Sequence, residues 1–283
     1  MKKIIFGSII LIISLNSFAT KVEFLATGNS FTCLGTRSQV KCFGNNMYGI
    51  VQSIPFNNVK KLTAGNDHVC ALDDDDMWCW GFNDYGQSSV PYELKNVKDI
   101  STGYLQSCAI GEEGAQCWGL NNFGQNDIPT NLKNLKMITP GLGRNCAVDE
   151  EGTKCWGVDE DLNKVPANVI NPEQIVMGEF HTCSLENQKI TCWGDNRYGQ
   201  IDVLVNLKNP RQISSKGYHS CVIDDEGVKC WGENSRGQTN VPSNLKNPRQ
   251  VSGGLHHTCV LDDEGAKCWG RNNYGEIDVP LEL

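Results

Sequence analysis

The sequence predicts an all-β protein, a seven-bladed β-propeller whose short blades have three or four strands and one disulfide each. Three observations lead there. A cassette typified by residues 220–238, SCVIDDEGVKCWGENSRGQ, returns seven times along the chain. Its expected disulfides join Cys33 to Cys42, Cys70 to Cys79, Cys108 to Cys117, Cys146 to Cys155, Cys183 to Cys192, Cys221 to Cys230 and Cys259 to Cys268, which uses all fourteen cysteines. The first cysteines of successive pairs lie 37 or 38 residues apart, a period that belongs to stacked or radially arranged units.

Before the first repeat, Met1-Lys2-Lys3 is a short basic start and Ile4 to Leu15 an apolar run too short to span a membrane. Ser17-Phe18-Ala19 supplies a small-x-small cleavage signal, so residues 1–19 read as a secretory signal peptide and 20–283 as one propeller domain. An even cysteine count in an exported chain points to disulfides and to a periplasmic or extracellular protein. No two cysteines are closer than nine residues, which argues against a zinc site, and no metal or cofactor is expected.

The third repeat shows the elements in order. Val97-Lys98-Asp99-Ile100-Ser101 alternates apolar and polar residues, as a half-buried strand does. Gly103 breaks it. Ser107-Cys108-Ala109-Ile110 is a second strand, Gly111 to Gly114 turns the chain, and Ala115-Gln116-Cys117-Trp118 is a third. A two-residue turn at Glu112-Glu113 places Cys108 opposite Cys117 at a non-hydrogen-bonded pair, about 4.5 Å apart and within disulfide range. The recurrent Asp-Glu-Gly also suits a three-residue bulged turn, so the turn type stays open. The chain stops where other repeats run on into an inner strand, and Lys21 to Leu25 supplies that piece, so the two ends belong side by side.

With its neighbours, the run HSCVIDDEGVKCWGENSRGQ from His219 resembles the regulator-of-chromosome-condensation repeat family of seven-bladed propellers. The matching positions in the last repeat are Gly254, His257, Leu261, Gly265, Trp269-Gly270, Asn272 and Gly275. Blade length looks more like that of the secreted bacterial propeller-type β-lactamase inhibitory protein, and this resemblance implies binding on one face of the ring. The first repeat departs with Phe43 for Trp and Ile50 for Gln. The fourth lacks the Asn-x-x-Gly-Gln loop, with Val158 to Leu162 one residue short, and the fifth has Leu204 for Pro. No long insertion offers a nucleotide-exchange wedge, so exchange on a small GTPase is not expected.

Antiparallel connectivity sorts the loops onto two rims. One carries the hairpin turns, with sixteen of the 33 acidic residues, among them Asp73 to Asp76, Asp149 to Glu151, Asp224 to Glu226 and Asp262 to Glu264. These read as solvated turns, since no spacing resembles a calcium loop. The other rim carries the Gly-x-x-His and Trp-Gly-x-Asn loops. There the expected partner-binding residues are Tyr104, Leu105, Leu142, Phe180, Tyr218, Leu255 and His256, where the repeats vary most, with Tyr85, Phe123, Tyr198, Arg236 and Tyr274 from the second loops. Aromatics and Arg are enriched at interface hot spots. Of the two sets, Tyr104, Phe180 and Tyr218 carry the stronger expectation, because recurrence does not explain them. His68, His181, His219 and His257 share one repeat position and read as scaffold; His256 is out of register. Tryptophans 80, 118, 156, 193, 231 and 269 read as blade packing and Trp78 as exposed.

Without the first two lysines the chain carries 23 basic and 33 acidic residues, which disfavours nucleic acid as a partner. The expectation is a monomeric, non-catalytic propeller that binds a protein, an inhibited enzyme being one form of this. A lyase or hydrolase at the ring centre and a glycan-binding protein are the alternatives.

Overall fold

The computed structural model describes residues 21–281, so the expected signal peptide lies outside the described residues. Among these, twenty-two strands form seven antiparallel sheets of consecutive strands, the first with four strands and the others with three. We number the sheets as blades 1–7. Their inner strands are Phe24–Thr27, Lys61–Ala64, Asp99–Thr102, Met137–Pro140, Gln174–Met177, Gln212–Lys216 and Gln250–Gly253. Each inner strand neighbours the next around a closed ring, and the first neighbours the last.

The core lies between blades. Seven hydrophobic clusters each join two adjacent blades; one, for example, joins Leu72 and Met77 of blade 2 to Ile100 and Trp118 of blade 3. The alternation read in Val97 to Ser101 is thus real: Ile100 is buried in the blade interface while Asp99 and Ser101 line the channel. Inner-strand edges are occupied as well. Gln212 donates from Nε2 to Val251 O (3.1 Å), and its Oε1 accepts from Val251 N (2.9 Å), so one side chain completes a backbone pair across the blade boundary.

All seven disulfides form as spaced: Cys33 with Cys42, Cys70 with Cys79, Cys108 with Cys117, Cys146 with Cys155, Cys183 with Cys192, Cys221 with Cys230, and Cys259 with Cys268. Their Cα atoms lie 4.0–4.2 Å apart, the closeness of a non-hydrogen-bonded pair. The two cysteines of a pair differ in burial. The first lies on the middle strand and is buried in every blade, whereas Cys79, Cys117, Cys155, Cys192, Cys230 and Cys268 lie on the outer strand and are half-buried. Cys42 is the exception and is buried, because only blade 1 adds a fourth strand, Ser53–Pro55, beside it. The open question of the turn resolves with features of both forms. The register pairs Gly111 with Gly114 and leaves two residues in the loop, while the glycine after it adopts a positive φ (110° at Gly114). Each bridge closes a small ring in the unfolded chain. Serine at both Cys221 and Cys230 is therefore expected to cost roughly 2–3 kcal/mol of stability, read by urea unfolding.

The acidic hairpin rim corrects one expectation. The first Asp of four turns is buried rather than solvated. Asp149 accepts hydrogen bonds from the backbone N–H groups of Lys133, Glu151 and Gly152 and from Lys154 Nζ (2.9 Å). Burial alone would raise its pKa, but Lys154 and the backbone donors outweigh that and hold it at about 2. Asp224 and Asp262 repeat the arrangement with Lys229 and Lys267, and Asp73 takes backbone donors from Asn57, Asp75 and Asp76. These carboxylates staple the incoming segment to the hairpin.

Candidate functional site

The rim opposite the acidic turns is built from two loops per blade, tied by one backbone bond. Phe82 N donates to Asp67 O, Leu120 N to Leu105 O, Asp195 N to Phe180 O and Glu233 N to Tyr218 O, at 2.7–2.9 Å. The second loop is held by its Asn and Gln. Asn121 Oδ1 accepts from Asn126 N, and Gln125 Oε1 accepts from Phe123 N, which fixes the backbone of the aromatic residue itself. Gln87, Gln200 and Gln238 act likewise on Tyr85, Tyr198 and Arg236. The carbonyl of the same Gln accepts from the Trp indole of the following blade, as Gln200 O does from Trp231 (2.9 Å). The short fourth loop lacks this Gln, and Trp193 Nε1 is left without a partner.

The four in-register histidines are clamps between blades. His68, His181, His219 and His257 point Nε2 at Ser107, Ser220, Thr258 and Thr32 of the next blade, at 2.9–3.0 Å. Because Ser107, Thr258 and Thr32 give their hydroxyl protons to backbone carbonyls, Nε2 must be the donor. Nδ1 is buried with no acceptor beside it in all four, so a second ring proton would go unpaired and the rings are neutral. Burial pulls their pKa values to about 3, 3, 4 and 3. The motif's glycine has its reason here, since a Cβ at Gly65 would stand 2.2 Å from the His68 ring. In blade 4 the clamp is Arg144, fully buried, reaching Thr182 Oγ1 (2.7 Å) and His181 O (2.9 Å).

Two aromatic groups stand on this rim. Phe180, Tyr198 and Tyr218 meet between blades 5 and 6. The Tyr198 and Tyr218 rings lie 5.1 Å apart edge-on, Phe180 and Tyr218 6.1 Å, and the Arg197 guanidinium sits 6.0 Å from the Phe180 centroid. Tyr48, Phe82 and Tyr85 form the second group, with centroids 4.6 and 6.0 Å apart. The structure does not join every expected residue to these groups. Phe123 and Tyr274 stand singly on blades 3 and 7, and Arg236 is exposed beside its loop.

The two sets differ in exposure. The recurring aromatics Tyr48, Tyr85, Phe123, Tyr198 and Tyr274 are 40–55 % exposed. Tyr104, Leu105, Leu142, Phe180, Tyr218, Leu255 and His256 are half-buried, and of these Tyr104 and Leu142, which directly follow the inner-strand glycine, line the channel mouth. Trp78 is exposed as expected.

The mouth gathers more polar groups than the sequence suggested. Tyr218 donates to the Glu179 carboxylate, which burial pushes up despite that bond; Tyr104 bonds to Asn66. His256 Nδ1 stands 3.6 Å from Glu233, beyond hydrogen-bond reach, and burial holds its pKa below the usual value. Beneath them runs a channel of about 550 Å³ lined by all seven inner strands, with a belt of hydroxyls in which Thr27 pairs with Ser252 and Thr63 with Thr102. Lys216 reaches into this channel and donates to Thr27 O, Ala64 O and Gly65 O at 2.7–2.9 Å. Sequence reasoning missed Lys216 and Phe82. Lys216 was detectable, because it stands where the six other repeats have glycine.

A family model described as the regulator of chromosome condensation (RCC1) repeat matches residues 59–87, 173–200, 211–238 and 249–276, each from an inner-strand approach to the Gln or Glu of the second loop. Four segments of this seven-bladed propeller are thus RCC1 repeats. Solved structures agree on the fold. The ectodomain of the Physcomitrella patens receptor kinase CR4 is 22 % identical with a TM-score of 0.72, covering 88 % of this chain and 73 % of its own. The ectodomain of the Arabidopsis thaliana receptor kinase ACR4 gives 21 % and 0.70, covering 92 % and 98 %. Yeast RCC1 (Prp20), solved bound to Kap60, gives 17 % and 0.71, covering 93 % and 83 %. No curated protein matches the sequence. With seven disulfides and no free cysteine among the described residues, this propeller suits an oxidising compartment. Among the described residues no helix is long and apolar enough to cross a membrane.

Proposed function

We propose that this RCC1-repeat propeller is a non-catalytic binding module, exported to the periplasm or the extracellular space, that captures a partner protein on its aromatic loop rim. An enzyme inhibited by that contact is the form of the reading its blade length favours. The observation that carries it is the group Phe180, Tyr198 and Tyr218 with Arg197, presented on loops whose backbones are already fixed by Asn and Gln. Rigid aromatics on a preorganised surface lose little entropy on binding. The polar groups at the ring centre give an enzyme reading less support, because Lys216 spends its protons on carbonyls and Tyr218 bonds to Glu179.

The test is a comparison of variants. Oxidised protein is used to capture a partner from periplasmic and secreted fractions, and the captured protein is then purified and titrated. Alanine at Phe180, Tyr198 and Tyr218 together should weaken binding by about 100-fold or more, with two or three hot-spot side chains lost. Thermal stability should stay near that of the parent. A β-lactamase inhibition assay examines the enzyme form directly. Unchanged affinity in the triple variant would remove this patch as the site.

A further inference from the structure

The ring closes without sharing a blade between its ends. Every sheet consists of consecutive strands, so the seam between blade 7 and blade 1 has no strand exchanged across it. What crosses it are one backbone bond, Leu255 N to Gly28 O (3.3 Å), and several side chains. Thr27 meets Ser252, Gln250 donates to Leu25 O, Thr32 donates to Glu276 O, and Arg271 reaches Asn29 O and Ser30. One further side chain spans it from a distance. Lys216 starts on blade 6, passes blade 7, and ends on blades 1 and 2.

The geometry there is that of a cation site. Thr27 O, Ala64 O and Gly65 O lie 2.8, 2.9 and 2.7 Å from one nitrogen, at a half-buried place in the channel mouth. Three carbonyl acceptors call for three N–H donors, and a primary ammonium has that number. A neutral amine has two, and would turn its lone pair toward oxygen. Asp67 is the nearby acid, and the His68 and His257 rings that feel the same charge are neutral clamps. The equivalent positions Gly28, Gly65, Gly103, Gly141, Gly178 and Gly254 have no side chain, so the strut occurs once in the ring.

We propose that the channel mouth of this propeller is a primary-ammonium site which the chain fills with its own Lys216, fastening the ring across its seam. The site explains why blade 6 alone gives up the motif's glycine and places Gly217, at φ 54°, one position later. It also ties the base of the Tyr218 loop to the opposite side of the mouth. A free amine of the same headgroup, such as methylammonium, would fit the cradle once the lysine is removed.

Two variants and one measurement on the parent test this. Lys216→Met keeps the bulk of the stem and leaves the carbonyls unpaired; Lys216→Gly empties the site. Both are expected to melt about 5 °C or more below the parent, since buried acceptors lose their donors. Methylammonium chloride at about 100 mM should restore at least half of that loss in Lys216→Gly by occupying the site. It should do little for Lys216→Met or the parent, and tetramethylammonium chloride, which has no N–H, should restore nothing. Equal melting of Lys216→Gly and parent, or equal rescue by both salts, overturns the proposal. Should neither variant fold, the parent labelled with ¹⁵N-lysine decides. At pH 6 it should show one ammonium signal protected from solvent exchange and lost on unfolding, and its absence is the overturning result. None of these readouts involves a partner, so failure here leaves the binding reading standing, and the reverse holds too.

Discussion

Acidification from pH 7 to about 4.5 is expected to remove several kcal/mol of stability, before the carboxylate staples of the hairpin rim begin to titrate. The cause is the ring of histidine clamps. His68, His181, His219 and His257 are neutral in the fold, with pKa values drawn to between about 3 and about 4 by burial. In the unfolded chain they take a proton below about 6.5. The unfolded state therefore binds more protons over this window, and stability falls as pH falls. Each ring contributes up to about 1.4 kcal/mol per pH unit between its two values. Asp149, held at about 2, keeps its contribution until the pH drops through the carboxylate range, so its loss comes later. Asp67 and Glu179, pushed up by burial, run the other way and offset part of the loss as they take up protons ahead of the unfolded chain. The measurement is melting temperature against pH, in the parent and in variants carrying Gln in place of His68 and His219. Gln is the natural choice because Gln106 fills the same clamp in blade 3, donating to Asn145 Oδ1 (2.6 Å). These variants should melt lower at pH 7.5 but flatten the acid limb. A parent curve that is flat from pH 7 to 5 would mean that the rings are charged or exposed, contrary to their geometry.

Much of this molecule was legible in the sequence because its signals are covalent or periodic. Cysteines nine residues apart determine a hairpin register by parity alone, and Cys108 does face Cys117. Histidine recurring at one repeat position marks a scaffold contact, and all four such rings do clamp the next blade. One reading went astray because the sequence orders residues along a strand but not by distance from the ring axis. Asp149 looked like one of three solvated turn acids, yet only Glu150 and Glu151 reach solvent while Asp149 folds back under the turn. Tyr104 lines the channel mouth, a placement that the order of residues along the loop does not reveal. The grouping of Phe180, Tyr198 and Tyr218 was equally hidden. It depends on which loops of adjacent blades converge, and Phe180 and Tyr218 come from one loop type and Tyr198 from another.

Arg144→Ala is expected to be among the most damaging single substitutions, at about 3 kcal/mol or more, which in a domain of this size lowers the melting point by roughly 6–12 °C. Arg144 fills the clamp position of the one blade whose second loop is short. Its guanidinium donates to Thr182 and to His181 O, and more weakly to Leu162 O at 3.4 Å, in the loop that lacks the usual Gln. Truncation leaves a cavity at a fully buried site and withdraws donors from buried acceptors, two costs that add. The charge itself is dear to bury, with burial lowering the guanidinium pKa to about 10 and Asp159 opposing from the rim. An apolar replacement of matching length therefore separates the terms. Arg144→Met keeps most of the volume and drops the charge, and should recover part of the loss. Arg144→His is the sharper comparison. Thr182 stands in blade 5 where Ser107 and Thr258 stand in the blades that receive His68 and His219, so a histidine at 144 has its acceptor in place. That variant should sit between parent and alanine at pH 7.5. It should then fall away faster than the parent on acidification, having gained a fifth neutral clamp. A histidine variant with the parent's acid limb would show that position 144 is not a clamp of the same kind, and that the irregular fourth loop is held by other means.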